Sequence, residues 1–151
     1  MPRSSFKNRK ALNDKREFVF GSIWKLNDEE IAIPQADKLG NRVTHKERWV
    51  VVVSNNSENN HPLCPLVSIA PLSSQVHLKK QHDLDLFKSE DSVEKDCLLQ
   101  LKLIQPILKK DLITLMGEIC EDRKLELQVT LDSYFGLTTD DLFEEEFEEN
   151  A

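Results

Sequence analysis

Four consecutive valines, Val50 to Val53, constrain this chain more than any other stretch. They follow Arg48 and Trp49 and lead into Ser54. β-branched side chains are stiff at χ1 and fit a pleated sheet better than a helix, so the run predicts a buried strand. The polar cluster after it, residues 55–60, predicts a loop. Arg48 thus stands at the mouth of a core strand, where a rigid backbone lets a charged group hold its position. The alternative is that Arg48 only keeps the strand end soluble.

A second apolar stretch, Leu66 to Leu72, ends in Ser73-Ser74-Gln75. The loop between the two stretches is short and polar, which predicts an antiparallel pair. In that pairing Arg48, at the start of one strand, and Ser73, at the end of the other, lie at one edge. A guanidinium and a hydroxyl facing one cleft suit a phosphodiester, because the planar fork of Arg matches phosphate oxygens with two parallel hydrogen bonds.

The remaining chain divides around this pair. Residues 1–17 carry six basic and two acidic side chains and read as a basic arm. Phe18 to Trp24 reads as the first strand, with Gly21 at a bulge or a close approach. Residues 25–47 read as a long loop, with Lys38, Arg42, His45 and Lys46 on its return half; loops this long inside a compact domain are often functional. Asp83 to Leu86 alternates as a half-exposed strand, and residues 88–96 are a charged loop. Residues 97–101 and 103–107 predict strands, with Pro106 at an edge or bend. Lys109 to Met116, closed by Gly117, predicts a short helix. Glu121 to Phe135 predicts a longer one, acidic at its start and followed by Gly136. Leu127, Leu131 and Tyr134 or Phe135 share one face of that helix. Short strands with a little helix predict a mainly β, α+β fold, a small SH3-like β-barrel with helices against one side.

With 151 residues, 39% of them apolar and 31% charged, the chain fits one soluble domain with polar ends. No apolar run is long enough for a membrane span, and the basic N-terminus has no apolar signal core, so a cytoplasmic location is expected. Cys64, Cys97 and Cys120 are odd in number and widely spaced, which predicts small buried hydrophobes rather than a disulfide or zinc framework. No metal motif, phosphate-binding glycine loop or Ser/His/Asp order is present, and no cofactor is expected. Net charge is −7, yet seven carboxylates sit within residues 140–151, so the body is near balance and a nucleic-acid partner is not excluded. Leu142, Phe143 and Phe147 punctuate that acidic tail. It reads as a solvated brush, or as a segment that occupies a basic groove.

Five stretches in order resemble the MazF/PemK toxins of bacterial type II toxin–antitoxin systems. They are Gly21-Ser22-Ile23-Trp24, Arg48-Trp49 with the valines and Ser54, Ala70 to Gln75, Asp96 to Leu99 with Leu103 to Ile107, and Asp111-Leu112 to Gly117-Glu118-Ile119. The resemblance covers about residues 18–137, and it sets the expected division into a basic arm (1–17), a barrel domain (18–137) and an acidic tail (138–151). It implies the MazF/PemK/CcdB type of barrel with a C-terminal helix. It also implies a homodimer, a cognate antitoxin protein, and metal-independent cleavage of single-stranded RNA by its own 2′-oxygen. By resemblance Arg48 and Ser73 take the catalytic Arg and hydroxyl positions. His45 and His77 flank them in sequence as candidate proton carriers. Lys38, Arg42, Lys46, Ser74, Gln75 and Lys79 are candidate RNA contacts. The chain departs from the family at Trp49, where Pro is usual, and at Gln105, where a basic residue is usual. The competing class is a binding module on the same fold, a gyrase-inhibitor type of toxin or a member without nuclease activity.

Overall fold

The computed structural model describes residues 14–137. The acidic tail and most of the basic arm lie outside them. In chain order the elements are β1 (Ser22–Asn27), a 3-10 turn (Asp28–Glu30), α1 (Pro34–Leu39), β2 (Glu47–Val52), α2 (Asn56–Asn59), β3 (Leu66–Ser73), β4 (Asp83–Leu86), β5 (Cys97–Gln100), β6 (Gln105–Leu108), β7 (Thr114–Glu118) and α3 (Glu121–Phe135). The strands form one antiparallel sheet in the order β4-β5-β3-β2-β1-β7, and β6 pairs with β3 off that path. It is a curled half-barrel with a C-terminal helix, the α+β fold expected.

The valine run is central because the sheet is covered on both faces. Val51 and Val53 enter one core with Ile23, Ala70, Leu99, Ile119 and Leu127. Val50 and Val52 enter a second core with Phe18, Trp24, Ile69 and Ile107. Alternate side chains of a strand point to opposite faces, so two cores require an apolar residue at every position. β3 serves both neighbours of this arrangement. It pairs with β2 through residues 69–71, with β6 through 66–69 and with β5 through 72–73. Pro71, which has no N–H for a ladder, falls between the β6 and β5 pairings.

Three expectations need correction. The first strand begins at Ser22 and runs to Asn27, not over residues 18–24. Gly21 has φ +86°, and the Ser22 N–H donates to the Val19 carbonyl at 2.9 Å, so a turn precedes the strand. A Cβ on Gly21 would lie 3.0–3.1 Å from Lys124 and Ile119, so it is a close approach, as one reading had it. Residues 25–47 are not one loop but the end of β1, a 3-10 turn, α1 and an extended return. Residues 109–116 form a single 3-10 turn (Lys109–Asp111) and then β7, not a helix. The open edge of β1 captures this segment, with the Ile113 N–H donating to the Lys25 carbonyl at 2.7 Å. Gly117 is therefore no helix cap. A Cβ there would sit 2.4 Å from that of Ser92.

α3 spans Glu121–Phe135 as the sequence predicts, with Gly136 left-handed at its end. Leu127 is fully buried and Leu131 packs on the same core. Arg16 and Asp14, within the predicted arm, are docked on the body: Arg16 Nη1 donates to the Leu112 carbonyl at 2.6 Å and Nη2 to that of Lys109 at 2.8 Å. No helix among the described residues is long and apolar enough to cross a membrane.

Candidate active site

The β2–β3 pairing runs from Val52–Ile69 to Val50–Pro71, and its register extended two residues outward aligns Arg48 with Ser73, where β3 has passed to β5. Residues aligned in an antiparallel register share a face, which brings guanidinium and hydroxyl to one side of the sheet edge. Both line a cavity of about 470 Å³. Its floor is the start of β2 and the end of β3. One wall is α1 with the return segment that includes Asn41, Arg42 and His45. The other is the segment around Glu94 and Lys95.

Arg48 is held from behind. Asp28, at the first position of the turn after β1, has a fully buried carboxylate. Its Oδ1 accepts from Arg48 Nε at 2.6 Å and from Arg42 Nη2 at 2.8 Å, and its Oδ2 accepts from the His45 N–H at 3.1 Å. Burial alone pushes this carboxyl's pKa up. Donation from Arg48, Arg42 and the His45 N–H outweighs burial and holds it below the usual carboxylate range. The two Nη groups of Arg48 make no hydrogen bond to any described residue. They form the outer edge of the guanidinium fork, the edge suited to a phosphate. On the other side, the Ser73 hydroxyl accepts the Gln75 N–H at 3.3 Å, which leaves its own proton free to donate.

Arg42 is differently placed. Its Nη1 donates to the Ile31 carbonyl and to Asp37, and its Nη2 to the carbonyl and carboxylate of Asp28. It lines the cavity, but its terminal donors are spent on the wall they hold. Arg48, His45, Ser73, Ser74 and Gln75 also line the cavity. Lys38, Lys46, His77 and Lys79 do not. Lys38 and Lys46 are exposed on the excursion that forms the wall, His77 is exposed in a 3-10 turn, and Lys79 pairs with Asp85 at 2.6 Å.

Sequence reasoning missed Asp28. It sits in the run Asp28-Glu29-Glu30, and nothing in the sequence separates it from two exposed acidic neighbours. Trp49 follows Arg48 in β2. It is half-buried, lines the cavity, and has Lys25 Nζ 5.7 Å from its ring centroid. Gln105, the departure from the family's basic residue, binds backbone: its Oε1 accepts from the Ala32 N–H at 2.8 Å and its Nε2 donates to the Ala32 carbonyl at 3.0 Å. Cys97 is buried, Cys64 and Cys120 are half-buried, and all three are free thiols. Among the described residues no three His, Cys, Asp or Glu side chains converge as metal ligands would.

Fold and site together define a class, a small antiparallel half-barrel with a C-terminal helix that presents a guanidinium and a hydroxyl in a cavity at one strand edge. Within that class the chain belongs to the PemK-like, MazF-like toxins of type II toxin–antitoxin systems, whose pattern matches residues 22–135. Solved structures share the fold at low identity. The Mycobacterium tuberculosis toxin MazF-mt6 superposes with a TM-score of 0.57 at 14% identity, covering 76% of this chain and 96% of its own. MazF in a MazE–MazF crystal structure from Deinococcus radiodurans gives a TM-score of 0.55 at 16% identity, covering 82% and 98%. A mycobacterial endoribonuclease in complex with its cognate antitoxin gives 0.56 at 14% identity, covering 80% and 95%. No curated protein matches the sequence.

Proposed function

We propose that this protein is the toxin of a type II toxin–antitoxin pair and an endoribonuclease that cuts single-stranded RNA. The observation that carries the reading is that Arg48 and Ser73 line one cavity, with Arg48 backed by a buried carboxylate. Cleavage by the RNA's own 2′-oxygen requires three things: removal of the 2′ proton, stabilisation of the crowded phosphorane, and protonation of the leaving 5′-oxygen. The Nη edge of Arg48 clamps two non-bridging oxygens, and the Ser73 hydroxyl donates to the same group. Arg cannot accept a proton at neutral pH. His45, which lines the cavity, is the candidate to move protons, and His77 stands outside it.

Ser74 and Gln75 contribute polar contacts at the rim, and Lys38 and Lys46 attract the strand from the exposed wall. The partners that follow are single-stranded RNA, a cognate antitoxin protein and a second copy of the chain. Incubating purified protein with a long single-stranded RNA in EDTA tests the reading. Fragmentation is the expected result. Intact RNA, from protein shown to be folded, would leave the binding-module class in its place.

A further inference from the structure

We infer that Asp28 is a positioning residue for Arg48, one carboxylate that sets the guanidinium and fixes the cavity wall at once. The inference deepens the RNA-cleavage reading and rests on it for its activity readout.

All three donors to the Asp28 side chain come from residues that line the cavity: Arg42, His45 and Arg48. A carboxylate out of water is tolerated only when donors compensate it, and here they do so on both oxygens. The manner of contact matters more than the pairing. Arg48 is bound through Nε alone. A guanidinium is a rigid plane, so fixing Nε against one oxygen sets the direction of the Nη edge. That edge keeps its donors. Because the same Oδ1 also holds Arg42, and Oδ2 holds the backbone at His45, the wall and the phosphate clamp share one anchor. The Asp28 N–H also faces the Lys46 carbonyl at 3.5 Å, one step beyond the last β1–β2 pair, Asn27–Glu47. Glu29 and Glu30 are exposed and provide no such anchor.

An amide cannot replace this carboxylate. Asn has one acceptor oxygen and one donor nitrogen. Set toward the arginines, its oxygen leaves the nitrogen facing the His45 N–H. Flipped, the nitrogen faces two guanidinium groups.

The test compares the full-length wild type with Asp28→Asn, Arg48→Lys and the double variant, each verified as folded by circular dichroism. Misplacing a reacting group by about an ångström costs on the order of 100-fold, so Asp28→Asn is expected to lower kcat by about 10- to 100-fold with little change in KM. In the Arg48→Lys background the same change is expected to cost far less, because the group it orients is gone. Unchanged kcat in folded Asp28→Asn overturns the inference. So do losses that multiply in full, since a merely structural carboxylate acts whatever stands at 48. Should the wild type not cleave RNA at all, the functional reading falls. The positioning claim is then decided by the Arg48 Nε–H in proton–nitrogen NMR. Slow exchange with water in the wild type and fast exchange in Asp28→Asn sustain it. Fast exchange in both overturns it.

Discussion

The side-chain amide of Gln105 is bonded to the backbone of Ala32 as a strand neighbour would be, accepting its N–H and donating to its carbonyl. Gln105 opens β6, and Ala32 lies on the outgoing limb of the excursion that walls the cavity. The amide therefore ties that wall to the sheet at a second point, distinct from Asp28. Ala32 is exposed, so water replaces the lost bonds in Gln105→Ala. The cost to global stability is expected to be small, roughly 1 kcal/mol per bond or less. The local effect is expected to be larger. Amide exchange at Ala32 accelerates in Gln105→Ala and proteolysis concentrates in residues 28–46. An unchanged exchange rate at Ala32 would show that the wall stands without this tie.

Ser73→Ala is expected to impair RNA cleavage more than Ser74→Ala. Ser73 is the last residue of β3 and Ser74 stands in the bend beyond it; both line the cavity, and the β2–β3 register extended two residues past Val50–Pro71 aligns Ser73 with Arg48. Loss of one donor to the developing charge costs roughly 100- to 1000-fold. Single-turnover rates for the two variants decide the matter, and a greater loss in Ser74→Ala would mean that the register shifts by one beyond Ser73.

The pH dependence of stability carries a signature of Asp28. Burial raises its carboxyl pKa, the Arg48, Arg42 and His45 donors lower it, and the net direction is downward. A folded pKa below the unfolded value of about 3.9 means that the stabilisation is complete above that value and is lost as pH falls through the folded pKa. Breaking a buried pair by removing one partner costs roughly 3–5 kcal/mol. Denaturant titrations of wild type and Asp28→Asn are therefore expected to differ by a constant amount from pH 7 to pH 5, and to begin converging only below about pH 4. A difference that shrinks between pH 7 and pH 5 would contradict the depressed carboxyl.

Much of this was legible in the sequence, for reasons that particular residues show. Val50 to Val53 and Leu66 to Leu72 announce their strands through side-chain shape alone, and α3 announces itself by its acidic start and its closing Gly136. Arg48 and Ser73 were singled out by the family resemblance, since the connection from Val53 to Pro65, which holds a helical turn, does not by itself fix a register. Residues 114–118 were not legible, because their strand exists only where the free edge of β1 waits for it, and local sequence does not record that edge. Asp28 was hidden for a similar reason. Its carboxylate differs from those of Glu29 and Glu30 only in what the folded chain brings to it.

Cys97 offers a check on the core beside the site. Burial first, then Asp91 and Asp96, push its thiol up to about 11. The thiolate is the reactive form, so Cys97 is expected to resist iodoacetamide at pH 8 in the folded protein and to label once unfolded. Peptide mapping by mass spectrometry reads this directly. Labelling of native Cys97 as fast as that of the half-buried Cys64 would mean that the β5 end of the cavity opens to solvent.

The central claim is that Arg48 and Ser73 cleave RNA through its own 2′-oxygen, and the ends of the fragments test it most directly. Wild-type protein and Arg48→Ala, both shown to be folded, are incubated in EDTA with one single-stranded RNA and with the same sequence carrying 2′-deoxyribose throughout. The account predicts fragments with 2′,3′-cyclic phosphate and 5′-hydroxyl ends from the wild type, no cleavage of the deoxy strand, and a loss of roughly 100-fold or more in Arg48→Ala. Cleavage of the deoxy strand, or full activity in folded Arg48→Ala, would contradict it.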